Sequence, residues 1–254
     1  MSEASSSLYL QEYHVDLASQ WDDLMGWKDR EKAEGPFLAD FLKTNGVTRV
    51  LDAATGTGFH SVLLAKAGFD VVAIDGAPEM VEVAKQNIEK RFDGTIPCTV
   101  GDWLQKETLP AGPFDAVICL GNSLAHLFSI GDLQQTLGNF RSVLRDGGVL
   151  VLDQRNYDGI LAGKVSGKSK SYCCTGLRAE IDVSILNCDT VQITYTTTGH
   201  QPNSIRTHAW RLSQMAQAIS EAGFLRHRVF GERGQDYALD SSEFVIHTAV
   251  VGST

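Results

Sequence analysis

Short apolar runs alternate along the chain with stretches whose apolar positions recur at helical spacing, the pattern of βα units built on a parallel sheet. Strands are predicted at about Arg49 to Ala53, Val71 to Asp75, Ile96 to Gly101 and Phe114 to Leu120, with helices Phe59 to Ala67 and Pro78 to Arg91 joining the first three. Phe114-Asp115-Ala116-Val117-Ile118-Cys119-Leu120 is almost continuously apolar, as a central strand buried on both faces must be. A helix Leu133 to Leu144 then leads through Arg145-Asp146-Gly147-Gly148 into a fifth strand, Val149 to Asp153. Past Tyr157 the character changes: Ser169 to Arg211 is rich in Thr, Ser, Tyr and Cys and lacks helical period, which reads as a β-rich insertion. Helix Ser213 to Ala222 and strands Phe224 to Phe230 and Phe244 to Val251 close the pattern, and the last two strands, with no helix between them, can pair antiparallel. Ahead of the first strand, Ser19 to about Thr44 is helical and broken at Gly35-Pro36 into two helices. The expected architecture is α/β: one domain over residues 1–254, a helical lid over 1–45, a mostly parallel seven-stranded sheet with an antiparallel last strand, and an insertion at 160–211 covering the site.

In such a sheet ligands bind outside the carboxyl ends of the strands. That rule gathers Ala53 to Gly58, Asp75, Asp102-Trp103, Gly121 to Ser123 and Gln154-Arg155-Asn156-Tyr157 into one crevice. Gly56 and Gly58 allow a turn against which a ligand can lie on bare backbone, and the following helix directs its N-terminal amides at an anionic group. The third glycine of a dinucleotide fingerprint is replaced by Ser61, and Asp52 stands where it would repel a pyrophosphate but could accept hydrogen bonds from an ammonium. Asp75 is placed to take both hydroxyls of a ribose. These positions favour S-adenosylmethionine over NAD. Asp102-Trp103 could read and cover an adenine, with Ala53, Gly76 and Met80 flanking the same turns. Asn122 would face the reacting centre, and Arg155 is the candidate for a substrate carboxylate, since its fork matches two oxygens. A salt bridge of Arg155 to Asp153 or Asp158 is the structural alternative.

The chain has 254 residues and a formal charge of −9, from 22 Lys+Arg against 31 Asp+Glu, so it lacks the basic footprint of a nucleic-acid binder. No apolar stretch approaches the roughly 18 residues of a membrane span, and Met1 to Ser7 is polar, so no membrane partner and a cytoplasmic location are expected. Cys98, Cys119, Cys173, Cys174 and Cys188 form no CxxC pair and are expected reduced. The seven histidines are dispersed with no metal-binding spacing, so no metal is expected.

Four stretches carry a resemblance: Trp21-Asp22-Asp23-Leu24 through Arg30, Val50-Leu51-Asp52-Ala53-Ala54-Thr55-Gly56-Thr57-Gly58-Phe59-His60-Ser61, the run from Phe114 through Gly121-Asn122-Ser123-Leu124-Ala125-His126-Leu127, and Asp153-Gln154-Arg155-Asn156-Tyr157-Asp158. In these the chain resembles glycine and glycine/sarcosine N-methyltransferases, a family of class I, Rossmann-like S-adenosylmethionine-dependent methyltransferases. The resemblance implies that Arg30 and the Gly56 region hold the methionine end of the cofactor, Asp75 its ribose and Asp102-Trp103 its adenine, with Leu120 and His126 lining the same pocket. It implies that Asn122 and Arg155 grip the carboxylate of a small amino-acid acceptor, with Trp21 beside the methyl path, Tyr157 in the catalytic group, and Tyr172 and Tyr195 enclosing the amine. The implied reaction is N-methylation of glycine or sarcosine, as in a betaine-type osmolyte route, releasing S-adenosylhomocysteine. S-methylation of methionine, N-methylation of another small amino acid and a non-catalytic cofactor sensor stay open. By the same resemblance, more aromatic character is expected where Cys173-Cys174 stands.

Overall fold

The computed structural model describes residues 12, 21–22, 26–34, 36–167, 179–197 and 201–252. Two helices, α1 (Trp27–Glu34) and α2 (Phe37–Thr44), lead into the sheet. The chain then runs β1 (Arg49–Asp52), α3 (Phe59–Lys66), β2 (Asp70–Asp75), α4 (Pro78–Arg91), β3 (Cys98–Val100), β4 (Phe114–Cys119), α5 (Ile130–Val143), β5 (Leu144–Arg155) and α6 (Tyr157–Leu161). Strands β6 (Ala179–Ile185), β7 (Thr190–Thr197) and β8 (Asn203–His208) follow, then α7 (Leu212–Glu221), β9 (Phe224–Gly231) and β10 (Phe244–Val251).

Seven strands form one sheet in the order β3-β2-β1-β4-β5-β10-β9. β1 is the pivot: Leu51 pairs in parallel with Val72 of β2 on one side and with Val117 of β4 on the other. The chain winds outward from β1 through β2 and β3, then returns to place β4 against the opposite edge of β1. That reversal leaves a crevice above the carboxyl ends of β1 and β4. β10 inserts antiparallel between β5 and β9, so it is the one strand of this sheet that runs against the rest.

The period-2 alternation of strands sends successive side chains to opposite faces, and both faces are apolar. Leu51, Val117, Cys119 and Leu150 pack with Phe140 of α5 and Met215 of α7, while Val50, Ala116, Ile118 and Val149 pack with Leu64 of α3 and Ala84 of α4. α4 begins where expected because Pro78 at its first position pre-sets the helical φ and needs no N–H partner. α5 starts three residues earlier than the apolar period suggests, because the Ser129 hydroxyl accepts the Asp132 N–H and caps the extra turn.

β5 is longer than predicted at both ends. Its start pairs Leu144 with Phe114 across a register shift at the Gly147-Gly148 kink, and its end pairs Arg155 with Phe244. Arg155 is therefore the last residue of a strand hydrogen-bonded on β10 and not a member of the following loop.

The three strands β6, β7 and β8 form a separate antiparallel sheet, with Ile193 opposite Ile205 and Val191 opposite Thr207. Val191, Ile193, Tyr195, Ile205 and Thr207 are buried on its inner face, and Thr194 and Arg206 on the outer face meet solvent or half-exposed surface. The inner face packs with Ala77, Met80, Tyr157 and Phe244 over the carboxyl end of the main sheet. Among the described residues no helix is long and apolar enough to cross a membrane.

Candidate active site

Between the small sheet and the ends of β1, β2, β4 and β5 lies a cavity with an empty volume of about 920 Å³ including its mouth. Its first wall is the glycine turn after β1. Gly56 holds φ +54°, and a Cβ added there would meet no atom within 4 Å and would project into open space. The Gly56 N–H donates to Asp75 Oδ2 at 2.8 Å and the Ala77 N–H to Asp75 Oδ1 at 3.0 Å, so two backbone bonds fix the plane of that carboxylate at the cavity edge.

The second wall is the turn after β4. Gly121 and Asn122 are successive left-handed residues, with φ of +84° and +67°, a conformation that costs a non-glycine residue energy unless its surroundings fix it. They do so at both ends of Asn122. Its N–H donates to Asp153 Oδ1 at 2.7 Å, and its side-chain Oδ1 accepts the Arg155 N–H at 2.9 Å. Tyr157 Oη completes the clamp, 2.8 Å from Asn122 Nδ2 and 3.1 Å from Oδ1. Arg155 itself is 3% exposed; its Nη1 donates to the Gly167 carbonyl, and its guanidinium lies 5.3 Å from the centre of the Phe244 ring. Asp153 and Arg155, two apart on β5, share the strand face that lines the cavity.

The third wall comes from α1 and α3. Arg30 bonds through Nε to Glu34 Oε1, and Glu34 Oε2 lies 2.8 Å from His60 Nε2. The Arg30 guanidinium sits 4.3 Å over the Phe59 ring.

Burial would raise the Glu34 carboxyl, but the charges of Arg30 and His60 bring it down to about 2. Burial pushes the Asp153 carboxyl up to about 6, against the lowering pull of the Asn122 N–H. It pushes the His126 imidazole down to about 4, so that ring is neutral at physiological pH. Among the described residues no group of histidine, cysteine or acidic side chains could hold a metal ion.

Of the residues singled out from sequence, Trp21, Arg30, Gly56, Asp75, Met80, Leu120, Asn122, His126, Arg155 and Tyr195 line this one cavity. Trp21 meets Tyr195 edge-on with ring centres 5.9 Å apart.

The remaining expected residues among those described lie around this cavity and not in its lining. Tyr157 is fully buried behind Asn122 and does not line the cavity. Asp52 is fully buried beneath the glycine turn, where Oδ2 accepts the Ser61 hydroxyl at 2.7 Å, so it braces the turn from below and does not line the cavity. Ala53 is buried, and its carbonyl is taken by the Trp103 indole N–H at 2.6 Å. That bond, and edge contact with Phe140, packs the half-buried Trp103 against the core. The Asp102 carboxylate caps its own loop through the Leu104 N–H and the Gln105 amide. Gly58, with φ +91°, caps α3 and packs on Ala84; neither it nor Gly76 lines the cavity. Tyr172, Cys173 and Cys174 lie outside the described residues.

Sequence reasoning missed Glu34, His60, Asp153, Phe244 and the Ile193–Ile205 pair. Glu34 stands four residues after Arg30 on one helix and Asp153 two before Arg155 on one strand, spacings that share a face and could have marked both. His60 and Phe244 meet the site only through the tertiary fold.

Residues 50–148 match the family described as a methyltransferase domain. The chain is 41% identical over 243 residues to a glycine/sarcosine N-methyltransferase from Halorhodospira halochloris, covering 95% of this chain and 89% of the relative. It is 38% identical over 244 residues to the enzyme of the same name from Aphanothece halophytica, covering 96% and 91%. In fold it is similar to an S-adenosylmethionine-dependent methyltransferase from Clostridium acetobutylicum, with a TM-score of 0.72 at 15% identity over 94% of this chain and 98% of that one. The cavity thus lies in an S-adenosylmethionine-dependent enzyme, and the chain belongs to the glycine/sarcosine N-methyltransferase family.

Proposed function

We propose that the protein methylates the amino nitrogen of glycine and sarcosine, with Arg155 and Asn122 holding the acceptor's carboxylate. The observation that carries this reading is that Arg155 and Asn122 open onto the same cavity as Gly56, Asp75 and Arg30. A cofactor and a small carboxylate acceptor can then meet in one chamber. The residues fit the cofactor: bare backbone at Gly56 where a Cβ would project into the open cavity, a fixed carboxylate at Asp75 for a ribose, and a guanidinium at Arg30 for a carboxylate. In this reading Leu120, Met80 and His126 supply the flanking walls, with Trp21 and Tyr195 at the methyl path.

When bound, S-adenosylmethionine supplies a methyl group on a positively charged sulfur, open to in-line attack by an amine lone pair. The chain's own contribution is placement. Fixing a carboxylate by the Arg155 fork and the Asn122 amide sets the direction in which the amine points, and orientation of this kind is worth roughly 7 to 11 kcal/mol of barrier. Trp21 and Tyr195, in edge contact with each other on the cavity wall, would place an aromatic ring beside the path of a positive methyl. The acceptor must shed its ammonium proton before attack. His126, held near 4, and Asp153, near 6, are both far weaker bases than an aliphatic amine, so neither holds the acceptor's proton at equilibrium. A cytosolic setting and a place in betaine-type osmolyte synthesis belong to the same proposal.

The test is direct. Purified protein is incubated with labelled S-adenosylmethionine and, separately, glycine, sarcosine, dimethylglycine and methionine, and products are identified by mass spectrometry. Labelled sarcosine from glycine and dimethylglycine from sarcosine are expected; label on methionine sulfur, or on none of the four, refutes the proposal.

A further inference from the structure

Glu34 touches Arg30 and His60 from behind the cavity wall: Arg30, His60 and Phe59 line the chamber and Glu34 does not. One carboxylate bonds two different partners, Arg30 at Nε through Oε1 and His60 at Nε2, 2.8 Å away, through Oε2. Arg30 Nη2 and His60 Nε2 are themselves 3.5 Å apart, which closes a three-membered polar ring. All three residues are at most 8% exposed. The Phe59 ring supports the guanidinium face at 4.3 Å.

We infer that Glu34 and His60 are positioning residues that hold the Arg30 guanidinium in register for the carboxylate at the amino-acid end of the cofactor. A bond at Nε fixes rotation about the last torsion of the arginine, and with it the direction of the edge formed by the two terminal nitrogens. The ring contact with Phe59 fixes the tilt. Glu34 lies on α1 and His60 on α3, so the same carboxylate ties the helix carrying Arg30 to the helix that follows the glycine turn. A buried ion pair is a poor way to gain stability, because desolvation offsets most of the attraction. Its position directly behind a cavity-lining guanidinium is explained by orientation. Glu34 remains ionised through the working pH range, since Arg30 and His60 hold its carboxyl at about 2 despite burial.

The inference rests on the proposed reading that Arg30 faces the amino-acid end, and the experiment separates the two. Calorimetric affinities are measured for S-adenosylhomocysteine and for 5′-methylthioadenosine, the same thioether nucleoside without the amino-acid end. Glu34→Gln keeps the shape but loses the ion pair with Arg30 and places a neutral amide between Arg30 and His60. It is expected to weaken S-adenosylhomocysteine about tenfold or more while methylthioadenosine stays within about twofold. His60→Gln should shift the ratio the same way and by less. Methylthioadenosine binding also reports that the chamber is folded in each variant. Equal loss of both ligands, or no loss of either, in Glu34→Gln overturns the inference. Arg30→Ala is the control: if it too weakens both ligands alike, the reading of Arg30 fails and the inference with it, whereas selective loss in Arg30→Ala but not in Glu34→Gln overturns the inference alone.

Discussion

Tyr157→Phe removes one oxygen atom from a fully buried side chain and leaves the ring that packs with Ile160, Ile193 and Phe244 in place. The lost hydroxyl lies within 3.1 Å of both polar atoms of the Asn122 amide and accepts from Asn122 Nδ2 at 2.8 Å. Without it the amide is held by the Arg155 N–H on its oxygen and its Nδ2 loses the Tyr157 hydroxyl. A neutral hydrogen bond of this kind is worth about 0.5 to 1.5 kcal/mol. If that energy goes into aiming Asn122 at the acceptor, the acceptor's kcat/KM falls about 2- to 13-fold. The cofactor side should not feel the change, because Gly56, Asp75 and Arg30 share no hydrogen bond with Tyr157 among those observed. The assay is initial-rate kinetics with glycine as the varied substrate, beside calorimetry with S-adenosylhomocysteine. Unchanged glycine kinetics would refute the positioning role of Tyr157, and so would a cofactor affinity that falls as far as kcat/KM.

Asp153→Asn tests the cost of the buried carboxyl. Between its ordinary value of 3.8 and about 6, the folded chain holds a proton that the unfolded chain has released, so stability from this group is full at low pH and is lost as pH rises through 6. The variant should therefore be about 3 kcal/mol more stable than the parent in urea at pH 8 and equal to it near pH 4; a variant less stable at pH 8 contradicts the assignment. Gly56→Ala puts a methyl into the cavity at φ +54°, so cofactor affinity should fall at least about tenfold while backbone strain costs only about 1 kcal/mol in a denaturant melt. Retained S-adenosylhomocysteine affinity by calorimetry would show that the turn is not the cofactor cradle.

Those elements that were legible in the sequence owe it to local signals. β10 and α4 match their predicted bounds because a mostly apolar, β-branched run and a proline at the first helical position need no tertiary context. The start of α5 was hidden because Ser129 acts through one capping bond and not through apolar period. The early part of β5 was hidden because Gly147-Gly148 reads as a turn, although the strand passes through it with a shifted register. At the site, sequence located the turns correctly but not the direction each side chain takes. Asp52, Trp103 and Tyr157 are polar residues in the right segments, yet each turns its polar atoms toward the scaffold, where buried groups demand partners. The ring of Arg30, Glu34 and His60 spans residues from two helices, and only folding brings His60 within reach of Glu34.

The central claim is that Arg155 anchors the acceptor and leaves the cofactor alone. Arg155→Ala, tested by glycine-dependent methyl transfer in parallel with S-adenosylhomocysteine calorimetry, should lower kcat/KM for glycine by about 100-fold, the worth of a charge-assisted pair, with cofactor affinity within about twofold of the parent. Equal losses on both sides, or glycine turnover that survives without the guanidinium, would contradict it.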